Sequence, residues 1–448
     1  MNYLRRYIIL PFFDMLAKDK RYYYLKQIEN EYKNSHLIEL EKQQVDRFWR
    51  LARKAYKYCP FYTQLYDSVS INPFNLSSKE DISKIPIIDK KHIYNNVEHM
   101  VNNSFDPKLL RKSATGGTTS SPMTFYLSQD SWSRRRAATI YFKKWFGYNP
   151  GDRQAFLWGA PQDFPKGLNW RWRLRNFLTD NSLMMFSSYL NNVTMRDFCS
   201  KLEYFKPVTL QAYSTPMAIL AEYVLENNIS LSIPGINVTA EPLYECQRQV
   251  IENAFNTRVF SWYGARELGH VATECNAHNG LHINTWGVLL ETVANGISVW
   301  DEQGEFVVTE LYNDAMPLIR YRIGDLGILT RSKCPCGFPT PRIQEILGRV
   351  GDVFLKRDGT RIPGISFADR VITDSRSIAQ LQVIQKDYEI IELVVVRGSE
   401  YTDDTIEELK ATISNYLKLE PKFIVSYVDN IPREVSGKIR FIKNEMTM

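Results

Sequence analysis

The segment Ser113-Ala-Thr-Gly-Gly-Thr-Thr-Ser-Ser-Pro122 stands out in this chain of 448 residues. It holds two glycines and six hydroxyl side chains in ten positions. Because glycine has no side chain, the backbone N–H groups of such a loop can approach a ligand and form a concave site for phosphate oxygens. The segment is not a Walker P-loop, since Thr118 follows Gly117 where that motif has lysine. On its own it fits a phosphate-binding loop and an ordinary Gly/Ser/Thr turn equally well.

The residues around this loop predict alternating strands and helices. Thr124–Leu127 has the pattern of a short strand, and Ser131–Phe146 that of the helix after it. Farther along, three apolar strand-like runs at 208–212, 236–240 and 259–263 are separated by segments with helical spacing. This βαβαβ rhythm predicts a sheet that is largely parallel, with helices as crossover connections.

A second unit begins near Leu347-Gly-Arg-Val-Gly-Asp352. The residues after it predict a strand at 390–396, an amphipathic helix at 403–417 and another strand at 423–427. The expected fold class is therefore α/β. A large domain of α/β layers with mixed sheets covers residues 1–349, and a small, mobile α+β domain covers residues 350–448. Gly348 and Gly351 mark the expected hinge, because glycine tolerates large changes of φ and ψ.

The composition excludes several classes of protein. Lysine and arginine total 56 and aspartate and glutamate 50, and the interspersed charges do not indicate nucleic-acid binding. Six scattered cysteines are typical of free thiols in a reducing cytoplasm rather than of a secreted disulfide scaffold. No segment approaches the ~20 apolar residues of a membrane span. For the amino-terminal helix, packing on its own domain is favoured over lying on a membrane, since apolar helix faces usually join the core.

Five segments occur in an order that resembles the adenylate-forming acyl ligases. They are the loop at 113–122, Tyr263-Gly-Ala-Arg-Glu267, Ala315-Met-Pro-Leu-Ile-Arg-Tyr-Arg-Ile-Gly-Asp325, Gly348-Arg-Val-Gly-Asp352 and Ser436-Gly-Lys438. Each segment alone is weak or moderate support, but all five in order are strong support. The chain most resembles the phenylacetate–coenzyme A ligase branch, which includes relatives associated with capsular polysaccharide synthesis. The resemblance covers all but roughly the first 80 residues.

This resemblance implies the residues that hold ATP. In the loop, the residues expected to cradle the β- and γ-phosphates are Ser113, Thr115, Gly116, Gly117, Thr118 and Thr119. The residues expected around adenine and ribose are Ala240, Glu241, Pro242, Tyr263, Gly264, Asp325 and Arg349. Tyr263 would stack on adenine, and the carboxylate of Asp325, in an expected tight turn, would accept both ribose hydroxyls.

The resemblance also implies three catalytic residues: Thr118, Glu267 and Lys438. Glu267 would hold Mg²⁺, a hard cation that suits a carboxylate together with phosphate oxygens. Lys438, in a turn of the small domain, would swing in during adenylation and neutralise developing negative charge. Many relatives carry Asp or Lys where this chain has Gly351, so the rotation that the hinge adopts in each half-reaction is left open.

A possible metal knuckle lies in the second half of the chain. Cys334 and Cys336 flank one proline, and two thiolates at that spacing can share one Zn²⁺. Cys275 and His282 complete the expected set of four ligands, with His278 as the alternative histidine. Free cysteines and a buried histidine are the competing interpretation.

The expected function is ATP-dependent activation of a small carboxylic acid to acyl-AMP, with release of pyrophosphate. The resemblance implies coenzyme A as the acceptor of the acyl group. Trp158, Tyr213 and Trp262, near predicted strand ends, would suit an aromatic or apolar acid. Two alternatives stay open: transfer to an amine or hydroxyl of a polysaccharide precursor, and a non-catalytic nucleotide-binding protein. The acid and the oligomeric state cannot be read from the sequence.

Overall fold

The computed structural model describes residues 2–115, 123–158, 174, 176–187, 190–349, 353–357, 361–363, 377–432 and 441–446. The helical elements are Asn2–Leu4, the π-helical Arg5–Ile9, Leu10–Leu16, Arg21–Asn34, Leu37–Tyr58, Pro60–Ser68, Lys90–Met100, Gln129–Lys143, Asn192–Phe205, Ser214–Glu226, Glu245–Phe255 and Asp403–Leu417. Short 3₁₀ turns lie at Pro73–Asn75, Glu80–Lys84, Pro107–Leu109 and Lys144–Phe146.

The strands are β1 Arg111–Ala114, β2 Thr124–Leu127, β3 Gln154–Trp158, β4 Ser182–Phe186, β5 Thr209–Tyr213, β6 Gly235–Thr239, β7 Val259–Ala265, β8 Gly269–Glu274, β9 Leu281–Ile283, β10 Val288–Ala294, β11 Ile297–Val299, β12 Gln303–Glu310, β13 Tyr321–Thr330, β14 Arg342–Arg349, β15 Val353–Leu355, β16 Arg361–Pro363, β17 Ile378–Asp387, β18 Ile390–Arg397, β19 Lys422–Tyr427 and β20 Ile442–Asn444.

Among the described residues, twelve strands form one large sheet in the order β11-β10-β12-β13-β14-β9-β8-β7-β6-β5-β3-β4. The strands from β4 to β7 are parallel, as the βαβαβ rhythm predicts. The expectation of a largely parallel sheet is wrong beyond β7, because β8 returns antiparallel after a turn of three residues. A parallel crossover needs a dozen or more residues, so this short turn forces the change of direction. The sheet is therefore mixed, in agreement with the expected fold class.

Two apolar clusters hold the large sheet in place. Under the parallel half, β5 and β6 bury residues such as Leu210 and Ile236 against the helices Asn192–Phe205 and Ser214–Glu226. Under the antiparallel half, the helix Leu37–Tyr58 contributes Phe48 and others to a larger cluster that also contains β12 and β13 side chains. This packing places the carboxyl ends of β3, β5 and β6 side by side, where ligands bind in open α/β sheets.

The carboxy-terminal residues form a separate four-stranded sheet in the order β19-β18-β17-β20. The helix Asp403–Leu417 packs on it through Ile406, Leu409 and Ile413, which share a cluster with Val383. The helix has the bounds that the sequence predicts, and β18 and β19 differ from the predicted strands by one residue at one end. A small α+β unit is thus present, while the domain boundary at 349/350 stays a prediction.

In the part of the chain that the structure describes, no helix combines the length and the apolar character that crossing a membrane requires.

Candidate active site

The glycine- and threonine-rich loop closes a hairpin. Strands β1 and β2 pair antiparallel, with Ser113 opposite Phe125. At the neck, the Thr115 N–H donates to the Met123 carbonyl at 3.0 Å, and the Met123 N–H donates to Thr115 Oγ1 at 3.0 Å. The sequence predicts β2 and the following helix, but β1 was not expected. Of the expected phosphate ligands, residues 116–119 lie outside the described residues, so the structure locates the neck of the loop only.

A buried arginine ties this hairpin to the neighbouring turn. Arg135, on the helix Gln129–Lys143, donates to the Arg266 carbonyl at 2.9 Å and also to the Glu267 carbonyl. Its guanidinium forms a two-bond contact with the Glu310 carboxylate, each bond 2.6 Å long. Arg266 in turn donates to the Ala114 carbonyl at 3.0 Å. These contacts fix the turn after β7 against the end of β1, next to the loop.

No motif or spacing in the sequence singles out Arg135 or Glu310. Arg135 lies in the run Arg134-Arg135-Arg136, which is typical of a solvated helix face. In the structure, however, the side chains of Arg135 and Glu310 are only 11% and 4% exposed. A two-bond arginine–carboxylate pair at such burial is a rigid support. A pair 175 residues apart leaves no local pattern by which it could have been found.

The expected magnesium ligand, Glu267, is buried in the turn between β7 and β8 and is 8% exposed. Tyr321 Oη donates to its carboxylate at 3.4 Å. Burial raises the pKa of Glu267, and the positive charge of Arg349 is the first of the nearby charges that act in the opposite direction. A carboxylate whose charge is costly in its surroundings is suited to a cation.

The residues expected at adenine and ribose are in direct contact. Tyr263 Oη donates to Asp325 Oδ2 at 2.7 Å, and Arg349 Nε lies 3.3 Å from Asp325 Oδ1. Burial, reinforced by the Asp325 charge, raises the pKa of Tyr263, so its hydroxyl stays protonated and donates. Three strands, β14, β9 and β8, separate β13 from β7 in the sheet. The contact therefore shows that the sheet curves strongly at this end.

The expectation that Asp325 occupies a tight turn is wrong. It lies inside β13, opposite Arg349 of β14. The glycines that suggested a turn instead accommodate an irregular strand: Gly324 has φ +88°, and the β13–β14 register shifts between Leu326 and Gly327. A left-handed residue within a paired strand is typical of a bulge. This irregularity accompanies the contact of the carboxylate with Tyr263.

The expected adenine segment, Ala240 to Pro242, directly follows β6. Ala240 has φ +71°, which is uncommon for a residue with a side chain and often marks a functional position. The Glu241 carboxylate accepts from the Thr215 N–H at 3.0 Å, at the beginning of the helix Ser214–Glu226. Glu241 therefore stabilises a helix start, and this contact accounts for its carboxylate without a ligand.

At Gly264, also expected near the nucleotide, a Cβ atom would lie 2.5 Å from the Gly269 carbonyl oxygen. Only glycine fits this close approach of β7 and β8.

Of the candidate acyl-pocket residues, Trp158 and Tyr213 end β3 and β5 with their ring centroids 5.0 Å apart. Trp262 is 9% exposed and packs edge-on against His270, at 4.4 Å between ring centroids. Trp158 and Tyr213 thus lie at the carboxyl ends of the parallel strands, whereas Trp262 belongs to the core.

The four expected metal ligands come together. One ligand atom from each of Cys275, His282, Cys334 and Cys336 lies within 4.8 Å of all the others. Cys275 Sγ is 3.6 Å from Cys334 Sγ, and Cys336 Sγ is 3.2 Å from His282 Nε2. A tetrahedral Zn²⁺ with its usual bond lengths separates two sulfurs by about 3.8 Å and a sulfur from a nitrogen by about 3.5 Å. The donor set and spacing therefore fit zinc.

The structure also distinguishes the two candidate histidines. His282 Nδ1 lies 3.0 Å from Thr340 Oγ1, which leaves Nε2 facing the cysteines. Burial, followed by the charge of Arg342, lowers the pKa of His282 to about 4, so the ring is in the neutral form that binds metals. His278 instead contacts Arg248 and Glu274, at 3.0 and 3.2 Å.

The Cys334–Cys336 turn has the features of a metal knuckle. Gly337 adopts φ +79°, and its N–H donates to the Cys334 carbonyl at 3.0 Å. The Phe338 N–H donates to Cys336 Sγ at 3.4 Å, a contact that favours a thiolate. The turn thus orients both sulfurs towards the same point.

The expected Lys438 and Gly351 lie outside the described residues. Gly348, at the end of β14, has φ +106°. The chain therefore leaves the large sheet through a glycine in a conformation that other residues avoid.

Comparisons with known proteins agree with this architecture. A family model described as the CapK C-terminal domain matches residues 354–445. The chain is 28% identical over 440 residues to Protein CapK of Staphylococcus aureus, covering 95% of this chain and 93% of that protein. It is 26% identical over 329 residues to the phenylacetate-coenzyme A ligase of Thermus thermophilus, covering 71% of this chain and 72% of that enzyme.

Among solved structures, 2-hydroxyisobutyryl-CoA ligase in its postadenylation state superposes with a TM-score of 0.73. The sequence identity is 18%, over 90% of this chain and 89% of that chain. The shared fold and the similarity over nearly the full length confirm the resemblance to the adenylate-forming acyl ligases. The chain is homologous to CapK and to the phenylacetate–coenzyme A ligases, and it shares the fold of the adenylate-forming CoA ligases.

Proposed function

We propose that this protein uses ATP to activate a small carboxylic acid as acyl-AMP, releasing pyrophosphate, and then transfers the acyl group to coenzyme A. The observation that carries the proposal is the contact of Tyr263 with Asp325, beside the buried Glu267. Residues from β7 and β13 meet there only because the sheet curves, and they meet next to the neck of the Gly/Thr loop. This arrangement offers an aromatic ring, a ribose acceptor and a metal-binding carboxylate to one nucleotide.

Magnesium would be held by Glu267 together with phosphate oxygens of ATP. The fit rests on burial: the carboxylate is largely withdrawn from water and has a raised pKa, so a divalent cation favours its charged form. When bound, Mg²⁺ neutralises charge on the phosphates. The protein holds the carboxylate in place through two hydrogen bonds. Tyr321 donates to the carboxylate itself, and Arg135 donates to the backbone carbonyl of Glu267 in the turn.

Lys438 would supply the positive charge at the reacting carboxyl and α-phosphate. Its position in the carboxy-terminal unit requires that unit to approach the large sheet during adenylation. The acceptor then has to reach the same carboxyl carbon, so the lysine must withdraw. Gly348 and Gly351 are the proposed pivots, and the positive φ of Gly348 supports a glycine-dependent hinge.

Zinc is the proposed occupant of the cluster formed by Cys275, His282, Cys334 and Cys336. The cluster connects three parts of the chain: Cys275 directly after β8, His282 in β9, and the Cys334–Cys336 turn before β14. A bound ion would therefore stabilise the antiparallel half of the sheet. Four protein ligands leave no open position, which is typical of a structural site. The zinc would therefore support the fold and take no part in the reaction.

An amine or hydroxyl acceptor remains the second candidate. It is kept open by the higher identity to CapK, 28% over 95% of this chain, than to the phenylacetate-coenzyme A ligase of Aromatoleum evansii, 24% over 90% of this chain. Trp158 and Tyr213 at the strand ends support an aromatic acid as substrate, since their rings can line an apolar pocket.

We propose a cytoplasmic location on the basis of the free thiols.

The test is a pyrophosphate-release screen with ATP, Mg²⁺ and a panel of aromatic and aliphatic carboxylic acids. We expect one chemical class to release pyrophosphate, and coenzyme A to increase turnover with formation of the thioester. Pyrophosphate release that does not respond to coenzyme A, but does respond to an amine or hydroxyl acceptor, would favour the second candidate. Nucleotide binding without release by any acid of a broad panel would favour a non-catalytic protein.

A further inference from the structure

The amino-terminal helical segment, residues 2–16, buries charged side chains and exposes apolar ones. Its buried side chains include the charged Arg5 and Asp14. Its exposed side is a stripe of large apolar side chains: Tyr3, Leu4, Tyr7, Ile8, Phe12, Met15 and Leu16, each between 43% and 75% exposed. A helix that packs on its own domain normally shows the opposite arrangement, with the apolar stripe buried.

Polar contacts hold the segment in this orientation. Arg5 Nε donates to the Phe177 carbonyl at 2.9 Å, and the Arg6 guanidinium lies 3.3 Å from Asp152 Oδ1. Asp14 accepts from Arg21 Nε at 2.7 Å. Because charged groups anchor the inner side, the apolar stripe cannot turn inward without losing these contacts. The outward apolar face is therefore a built feature of the chain.

Two further exposed apolar side chains lie at the site where Arg5 anchors the segment. Leu174 and Phe177 are 49% and 50% exposed, and the Arg5 guanidinium lies 4.6 Å from the centre of the Phe177 ring. Exposed lysines, Lys18 and Lys20, follow the stripe. A surface of tyrosine, phenylalanine, isoleucine and leucine beside basic residues is the composition of helices that lie in the interface of an anionic membrane.

The positive charge argues for lipid rather than a second copy of the chain. In a symmetric pairing of two such segments, the lysines of one copy would face either the lysines of the other copy or its amino-terminal end with Arg5 and Arg6, so like charges would meet. Anionic headgroups would attract both lysines.

The position of the segment is compatible with catalysis. Asp152 and Phe177, which anchor it, precede β3 and β4 and thus lie towards the amino ends of the parallel strands. The candidate nucleotide and acyl residues lie at or beyond the carboxyl ends of those strands. A partner that binds the exposed face of the segment would therefore leave the carboxyl ends of the strands, where the candidate active site lies, accessible.

We propose that residues 2–16 bind the interface of an anionic membrane, with the apolar stripe among the acyl chains and the lysines at the headgroups. The segment would lie on the bilayer and not cross it. This inference does not depend on the reaction that the protein catalyses.

The test is flotation of the full-length protein with phosphatidylcholine vesicles, with and without phosphatidylglycerol. We expect the wild type to float with the anionic vesicles, and less so at high salt. The double substitution Ile8→Glu with Phe12→Glu should lower the bound fraction about tenfold or more, because charges do not enter the apolar layer. The matched control is Val193→Glu with Tyr204→Glu, on the helix Asn192–Phe205, which is not part of the stripe and where both side chains are at least 78% exposed.

Each result bears on the proposal. Loss of flotation in the Ile8/Phe12 variant but not in the Val193/Tyr204 variant, with pyrophosphate release in solution unchanged, would support it. A wild type that does not float with anionic vesicles, or equal losses in both variants, would overturn it. If the wild type is a dimer that the Ile8/Phe12 variant dissociates, and neither binds vesicles, the occupant of the face is a second copy of the chain.

Discussion

The nucleotide residues and the Cys/His cluster lie on the same curved sheet but are built differently. The cluster brings four ligand atoms within 4.8 Å of one another, from residues that the structure describes completely. The proposed nucleotide residues are spread over several strands and the turns that follow them, and the proposed site also needs the Gly/Thr loop and Lys438 to surround a substrate. The first arrangement is closed before anything binds, whereas the second is completed by its ligand. The difference agrees with the proposed roles, a structural metal site in the cluster and a catalytic site at the nucleotide residues.

Removing the lysine should have the largest effect on turnover. We expect Lys438→Ala to reduce acyl-AMP formation about 10²-fold or more, because a positioned charge at the transition state is lost. ATP–pyrophosphate exchange measures the loss, and thermal unfolding with the wild-type midpoint shows that the fold is intact. Lys443→Ala, at an exposed lysine nearby in sequence, is the control and should retain activity. Near-normal exchange in folded Lys438→Ala protein would contradict the assigned role.

Breaking the metal cluster should affect stability first. We expect purified protein to contain close to one zinc per chain, and Cys334→Ser to lose the metal together with roughly 5 °C or more of thermal stability, since metal binding is coupled to folding. Elemental analysis and thermal unfolding measure both quantities. Cys199→Ser, at a buried cysteine outside the cluster, should keep the zinc. A stable, zinc-free wild type purified without chelator would refute the site.

Restricting the hinge should separate the two half-reactions. Gly351→Pro fixes φ near −65°, which suits at most one orientation of the small unit. We expect one half-reaction to slow about tenfold more than the other, measured as ATP–pyrophosphate exchange and as acyl transfer from preformed acyl-AMP. Gly351→Ala serves as the milder comparison. Equal effects on both rates, or no effect, would place the pivot elsewhere.

The smallest expected change concerns the Tyr263 hydroxyl. Tyr263→Phe keeps the ring for stacking and removes the hydrogen bond to Asp325, so we expect the KM for ATP to rise about fivefold with kcat little changed. Steady-state kinetics with varied ATP measure this split. Tyr321→Phe, which removes the longer 3.4 Å contact to Glu267, offers a comparison at the metal side of the site. An unchanged KM in Tyr263→Phe would remove the Asp325 contact from nucleotide binding.

Local patterns predicted local structure well. The strand Thr124–Leu127 and the helix Asp403–Leu417 have the predicted bounds, because alternation and helical spacing were sufficient there. The metal residues could also be named in advance, since cysteine and histidine are conspicuous and their spacing carries meaning. His282, and not His278, faces the cysteines because its strand position and its hydrogen bond to Thr340 orient the ring.

Long-range pairing could not be predicted in the same way. Asp325 was expected in a turn because glycines surround it, yet pairing with β14 keeps it in a strand. Arg135 is one of three consecutive arginines, and no local pattern connects it with its partner Glu310, which lies 175 positions away. The inverted helix at residues 2–16 was expected to bury its apolar face, and only its ionic anchors show why it does not.

The curvature that brings Tyr263 to Asp325 also has a consequence for how the protein matures. The contact spans 62 positions in sequence and three intervening strands, so it forms only after the antiparallel half of the sheet has assembled. A chain that is still folding has no nucleotide site. If ATP binds as proposed, it binds only the finished sheet and shifts the folding equilibrium towards it, so that nucleotide in the cell would stabilise newly made protein.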